Sequence, residues 1–215
     1  MLNIHSTAIV DPKAVISSGV SIGAFSIIDE NVQIGAGSKI HNHVTITGNT
    51  KLGKDNVVHP YSAIGIPPQD ISYSDEPTKL IIGDRNIIRE NCTVSIGTVR
   101  GNRITLIGND NLIMAYSHIA HDCKIGNNIL MANGAQLAGH VIIEDYATLG
   151  GFSLIHQFVR IGRNSFTSMG SAVNLDLPPY CLASGNYARA IGLNRVGLRR
   201  FGMKSKTPFA PGSKF

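Results

Sequence analysis

Four of the eight histidines in this 215-residue chain lie in its second half: His118, His121, His140 and His156. Asp122 follows His121 directly, and His140 comes 18 residues after Asp122. An imidazole changes charge near neutral pH and can also ligate a metal, so a row of such groups with a carboxylate beside one is a candidate functional site. The plainer alternative is that these rings only hydrogen-bond loop backbone, which suits the isolated His5, His41, His43 and His59 better. Cys92, Cys123 and Cys181 are odd in number and stand in no metal-ligand spacing, which predicts a reducing, cytoplasmic compartment.

Whether those histidines meet depends on the elements that carry them. Stepping by six from Ile4 gives Ile4, Val10, Ile16, Ile22, Ile28, Ile34, Ile40, Ile46, Leu52, Val58 and Ile64, all aliphatic. At this hydrophobic content such a run would arise by chance about once in ten thousand trials. The ladder resumes at Ile82, Ile88 and Val94, then shifts by one residue and runs from Ile107 through Ile113, Ile119, Ile125, Met131 and Leu137 to Ile161. Four residues after each early rung stands a small or β-branched residue: Ala8, Ala14, Val20, Ser26, Val32, Ser38, Val44, Thr50. Neither a 3.6-residue period nor simple alternation yields a strict six. The pattern predicts short strands separated by turns, with both columns pointing inward. Three hexapeptides close an 18-residue coil, and coils stack at about the 4.7–4.9 Å strand spacing.

An 18-residue coil places positions 139 and 157 over His121 and stacks Asp122 with His140. His140 and His156 miss the His121 register by one residue each, so the three imidazoles should lie along one corner. Hexapeptide proteins that hold zinc with three histidines place two ligands five residues apart on one chain; His118 and His121 are three apart, which disfavours a metal.

Two stretches break the ladder, 66–79 and 98–105, and loops on a rigid solenoid carry function or fill a subunit contact. Beyond Val173 the pattern fails; 177–190 reads as a turn leading to a short helix at 193–203. The expected division is therefore a coil over 1–176 and a C-terminal extension over 177–215. The composition, 43% hydrophobic and 15% charged, excludes a disordered chain. No run of about 18 apolar residues is present to span a membrane, and the first residues lack the pattern of a signal peptide. The net charge of +5 is concentrated at the end: Arg189, Arg195, Arg199, Arg200, Lys204, Lys206 and Lys214 have no acidic residue among them, leaving 12 basic residues against 14 acidic ones. Such a tail attracts nucleic acid, phosphate or an acidic protein.

The segment His118-Ile119-Ala120-His121-Asp122-Cys123, followed by Leu137-Ala138-Gly139-His140 and by Ile155-His156-Gln157-Phe158, resembles the UDP-N-acetylglucosamine O-acyltransferases of lipid A biosynthesis. The likeness runs from about residue 1 to 202 and includes Gln69-Asp70, Pro178-Pro179-Tyr180 and Gly185-Asn186. It implies an all-β, left-handed parallel β-helix with a short, truncated C-terminal α segment. It also implies transfer of a (3R)-3-hydroxyacyl group from acyl carrier protein to the sugar 3-hydroxyl, in a homotrimer with no cofactor, metal or nucleic acid. By this resemblance His121 is the general base, Asp122 orients it and the Gly139 N–H holds the oxyanion. Gln69, Asp70, His118, His140, His156, Gln157, Asn194 and Arg200 contact the sugar nucleotide or shape the site, and Met169 sets acyl chain length. The basic tail then suits the acidic carrier protein. The chain departs from the family at Ser72, Val196 and Phe201, and at Ser95-Ile96, where the family has His-Arg. Those departures keep two alternatives open: a hexapeptide transferase for another nucleotide sugar or donor, and a non-catalytic paralog.

Overall fold

The computed structural model describes residues 2–200 and Gly202. The chain winds as a parallel β-helix with three sheets. The first sheet has 11 strands and starts at Asn3–Ile4; the second has nine and starts at Ile9–Val10; the third has eight and starts at Val15–Ile16. Each residue pairs with the one a coil away, as Asn3 with Ser21, Ile9 with Ile27 and Val15 with Gln33. The coil is left-handed. Most strands are two residues long, so the strand twist behind the usual right-handed crossover has little length over which to act.

Both expected columns face inward. Ile28, Ile34, Ile46, Leu52 and Ile64 are buried, and so are Val20, Ser26, Val32, Ser38, Val44 and Thr50. Burying each large aliphatic contributes about 1.5–3 kcal/mol, and repetition makes the interior one continuous column. Where that second column becomes polar, its side chains accept main-chain N–H groups from the next coil. The Asn86 N–H donates to Asn56 Oδ1 at 2.9 Å, the Asn111 N–H to Asn86 Oδ1 at 3.0 Å and the Ile129 N–H to Asn111 Oδ1 at 2.7 Å. The glycines after the rungs serve close coil stacking: a Cβ on Gly35 would lie 2.5 Å from the carbonyl carbon of Gly53.

Two insertions lengthen the step between coils, from 18 residues between Lys39 and Val57 to 30 between Val57 and Ile87 and 25 between Ile87 and Leu112. The irregular residues are 67–78 and 96–103, because Ile66, Lys79, Ile104 and Thr105 are held in strands. The largest difference from expectation lies beyond residue 177. Cys181–Gly185 pairs in parallel with Phe166–Thr167 and extends the first sheet, and Ala188–Leu193 returns antiparallel beside it. The helix is confined to Arg195–Arg200. Alternating burial of Cys181 and Ala183 on the sheet outweighs the turn signal of the preceding prolines. Phe201, Lys204, Lys206, Lys214 and the end of the expected helix lie outside the described residues.

Candidate active site

His118 sits in the strand His118–Ile119 of the second sheet; His121 and Asp122 form the corner leading to the third. Asp122 adopts φ 59°, as does His140 at 64° one coil on. A short polar side chain tolerates this left-handed conformation, which makes the sharp bend. At the corner, His121 Nδ1 lies 2.9 Å from Asp122 Oδ2. The Asp122 side chain has no exposed surface. Burial pushes its carboxyl pKa up, but hydrogen bonds from His121 and Thr98 outweigh burial and lower it. Asp122 is therefore a carboxylate that only accepts, so Nδ1 is the donor to it and, in the neutral ring, Nε2 keeps its lone pair.

The 96–103 loop folds over that carboxylate. Thr98 donates to Oδ2 through its N–H at 3.0 Å and its hydroxyl at 2.6 Å, and the Asn102 N–H donates to Oδ1 at 2.9 Å. The Asp122 N–H is satisfied by Thr105 Oγ1 at 2.8 Å. Gly139 lies against the other edge of the imidazole: a Cβ there would stand 2.5 Å from His121 Cε1 and 2.7 Å from Nε2. Among the described residues the Gly139 N–H makes no hydrogen bond.

A cavity of about 640 Å³ opens beside this pair. Gln69, Asp70, His118, His121, Gly139 and Gln157 line it, joined by Ile71, Gln136 and Leu154, which sequence reasoning did not single out. Gln136 and Leu154 could have been found from the outward positions of the second sheet stacked over His118. Asp70 accepts from the N–H and hydroxyl of Ser72, both at 2.8 Å, and these bonds hold its pKa down. The departure at Ser72 thus fixes a cavity residue. Ser95 and Ile96 are buried away from the cavity lining, and Val196 is exposed on the helix.

The other sequence-predicted residues do not line the cavity. His140 packs its ring against His121, edge to face at 5.1 Å between centroids, and stacks on Phe158 at 4.6 Å. Burial lowers the pKa of His140, opposed by Asp122; burial, then His121, lowers that of His118. His118 Nδ1 also meets Thr93 Oγ1 at 2.7 Å. His156 is exposed and hydrogen-bonds the Gln157 carbonyl at 3.2 Å. Asn194 caps the helix Arg195–Arg200 by accepting the Gly197 N–H at 3.0 Å, and Arg200 ends it, exposed. Met169 is 77% exposed, its Cγ 3.9 Å from where a Gly151 Cβ would be.

His121, Asp122 and His140 offer ligand atoms within 4.8 Å of one another, a spacing a metal could bridge. Both Asp122 oxygens and His121 Nδ1 are already engaged in protein hydrogen bonds, so the donor set favours proton transfer over metal binding. Cys92, Cys123 and Cys181 are unpaired and buried; burial pushes the Cys123 thiol up to about 12. No helix among the described residues is long and apolar enough to cross a membrane.

A left-handed hexapeptide coil with a His-Asp pair on a corner and a free backbone N–H beside it defines a hexapeptide-repeat transferase, and residues 13–48 and 104–139 match the family model for the bacterial transferase hexapeptide (six repeats). Residues 176–208 match the model for the second domain of UDP-N-acetylglucosamine O-acyltransferase. The acyl-[acyl-carrier-protein]–UDP-N-acetylglucosamine O-acyltransferase of Herminiimonas arsenicoxydans is 55% identical over 94% of this chain and 78% of its own length. The solved UDP-N-acetylglucosamine O-acyltransferase of Moraxella catarrhalis superposes with a TM-score of 0.92 at 44% identity, covering 94% of this chain and 79% of that one. That of Francisella novicida gives 0.92 at 41%, covering 94% and 74%. The chain belongs to the acyl-[acyl-carrier-protein]–UDP-N-acetylglucosamine O-acyltransferase family.

Proposed function

We infer that the chain transfers an acyl group from acyl carrier protein to UDP-N-acetylglucosamine, the first step of lipid A biosynthesis. The observation that carries this reading is the His121–Asp122 contact with Gly139 against the same ring. His121 Nε2 takes the proton of the sugar 3-hydroxyl as that oxygen bonds to the thioester carbonyl carbon of a (3R)-3-hydroxyacyl group. The Gly139 N–H holds the resulting oxyanion, a contribution that grows as charge develops. Collapse breaks the carbon–sulfur bond, and the imidazolium returns its proton to the leaving thiolate. Asp122 stabilises the imidazolium without itself being protonated. An imidazole base held by a carboxylate suits an alcohol nucleophile, and the intact pair argues against a non-catalytic paralog. Gln69, Asp70, His118 and Gln157 supply polar contacts for the sugar nucleotide; His140 and His156 shape the corner.

The lining comes from one sheet face, one corner and one loop, so a second wall has to come from elsewhere. We place it on a neighbouring subunit of a homotrimer, whose Asn194 and Arg200 would reach the nucleotide. Exposed Ile71, Phe152, Leu154 and Phe158 support such an apolar contact. Buried, unpaired cysteines fit a cytoplasmic location. Met169, exposed beyond Gly151, would close the acyl groove. With donors of graded length, Met169→Gly should shift preference towards longer chains, since each buried methylene contributes about 0.8 kcal/mol; an unchanged preference would remove Met169 from that role.

The test is thioester consumption with acyl carrier protein and UDP-N-acetylglucosamine. His121→Ala should lower turnover by about 10²–10⁴-fold while the circular dichroism stays unchanged. Half-retained activity would show that another group is the base.

A further inference from the structure

We propose that the 96–103 loop is a positioning device for the proton-transfer pair, in which Thr98 fixes the Asp122 carboxylate toward His121. The proposal rests on the reading of His121 as the base. Thr98 is 4% exposed and does not line the cavity, so its action has to pass through another residue.

The geometry leaves the carboxylate little freedom. Oδ2 receives the Thr98 N–H, the Thr98 hydroxyl and His121, while Oδ1 receives the Asn102 N–H. With donors on both oxygens, the carboxylate plane cannot rotate away from the imidazole without breaking several charge-assisted bonds, the stronger class of hydrogen bond. The Thr98 hydroxyl is itself oriented: it accepts the Gly101 N–H at 3.2 Å, which leaves its own proton for Asp122. The loop closes on itself as well, with the Arg103 N–H donating to the Thr98 carbonyl at 3.0 Å.

Gly101 shows how tightly the loop is drawn over the site. A Cβ there would fall onto the Asp122 carboxylate, closer than any real Cβ contact. A side chain at 101 and a correctly placed carboxylate therefore exclude each other. The insertion also sits where it is needed: the 25-residue step between Lys79 and Ile104 occurs on the coil directly before His121–Asp122, whereas the step from Lys124 to Ile142 returns to 18.

Removing the Thr98 hydroxyl has two consequences for chemistry. The carboxylate loses one of the donors that hold it facing Nδ1, so fewer encounters find Nε2 correctly aimed. It also binds a proton more readily, which moves protonation of the His–Asp pair to higher pH.

The experiment compares Thr98→Val, Thr98→Ser, Gly101→Ala and His121→Ala with the unaltered full chain, using acyl carrier protein thioester and UDP-N-acetylglucosamine across a pH series. Thr98→Val should lower kcat on the order of tenfold or more, leave KM for the sugar nucleotide nearly unchanged, and move the acid limb of kcat/KM to higher pH. Thr98→Ser, which keeps the hydroxyl, should restore both. Gly101→Ala should lower kcat with Thr98 intact, and it carries the test if Thr98→Val does not fold. An unchanged kcat and acid limb in a folded Thr98→Val, or in Gly101→Ala where Thr98→Val does not fold, would overturn the proposal while an inactive His121→Ala upholds the base. A fall in kcat with no movement of the acid limb and no rescue by Ser would show a structural role only and overturn it equally. Retained activity in His121→Ala would instead remove the reading on which the proposal rests.

Discussion

His41 and His59 lie on successive coils with their rings stacked at 4.7 Å, and His121 and His140 lie on neighbouring coils at 5.1 Å. The fold is the same around both pairs, yet their surroundings differ. His41 is exposed, and His59 meets Glu90, itself partly exposed, at 3.3 Å. His121 is 8% exposed and faces a carboxylate with no exposed side-chain surface, which four hydrogen bonds from Thr98, Asn102 and His121 hold in place. Neighbouring histidine rings, stacked or edge to face, are thus available wherever the coil repeats them within a residue of its 18-residue register. What turns one corner into a site is the short insertion that buries and orients an anion beside the ring, together with a glycine that leaves room against its far edge.

If the scaffold is equivalent in the two regions, the ladder should respond alike in both. Ile46→Ala and Ile119→Ala each empty a fully buried rung, and each should cost about 2–5 kcal/mol in denaturant unfolding. A large cost at one and a negligible cost at the other would break the comparison at its base.

A smaller effect sharpens it. His118 has a folded-state pKa below the ordinary 6.5, first because of burial and then because of His121. The unfolded chain therefore takes up a proton before the folded one does as pH falls. The stability tied to His118 is present above pH 6.5 and is lost as pH drops through the folded value. The melting temperature should decline from pH 7 to pH 5, and His118→Gln should decline less. Equal declines would show that His118 does not titrate as its burial requires.

The ladder was readable because the inward positions of so thin a solenoid must be aliphatic or small, and a strict period of six fits neither a helix nor a plain alternating strand. The meeting of His121, Asp122 and His140 was readable for the same reason, since an 18-residue coil converts sequence spacing into stacking. The hold on Asp122 was not. Two of its donors, from Thr98 and Asn102, are main-chain N–H groups, which every non-proline residue carries and no residue type announces. Gly97 and Gly101 were the available signal, since side chains there would strike Ile104 and Asp122. The hairpin Cys181–Leu193 was missed because small residues and glycines carry weak strand propensity, and its register is set by the sheet edge left at Phe166–Thr167. His156 lies one residue from the register of His121, and its ring meets the Gln157 carbonyl.

The most direct test of the account is the turnover of Asp122→Asn, measured beside the unaltered protein with acyl carrier protein thioester and UDP-N-acetylglucosamine. The amide keeps the size of the carboxylate but removes the charge that fixes the Nδ1–H tautomer and stabilises the imidazolium. Turnover should fall by about 10²–10⁴-fold with an unchanged circular dichroism spectrum. A folded Asp122→Asn working within a few-fold of the unaltered chain would contradict the claim that a buried, oriented anion makes His121 the base.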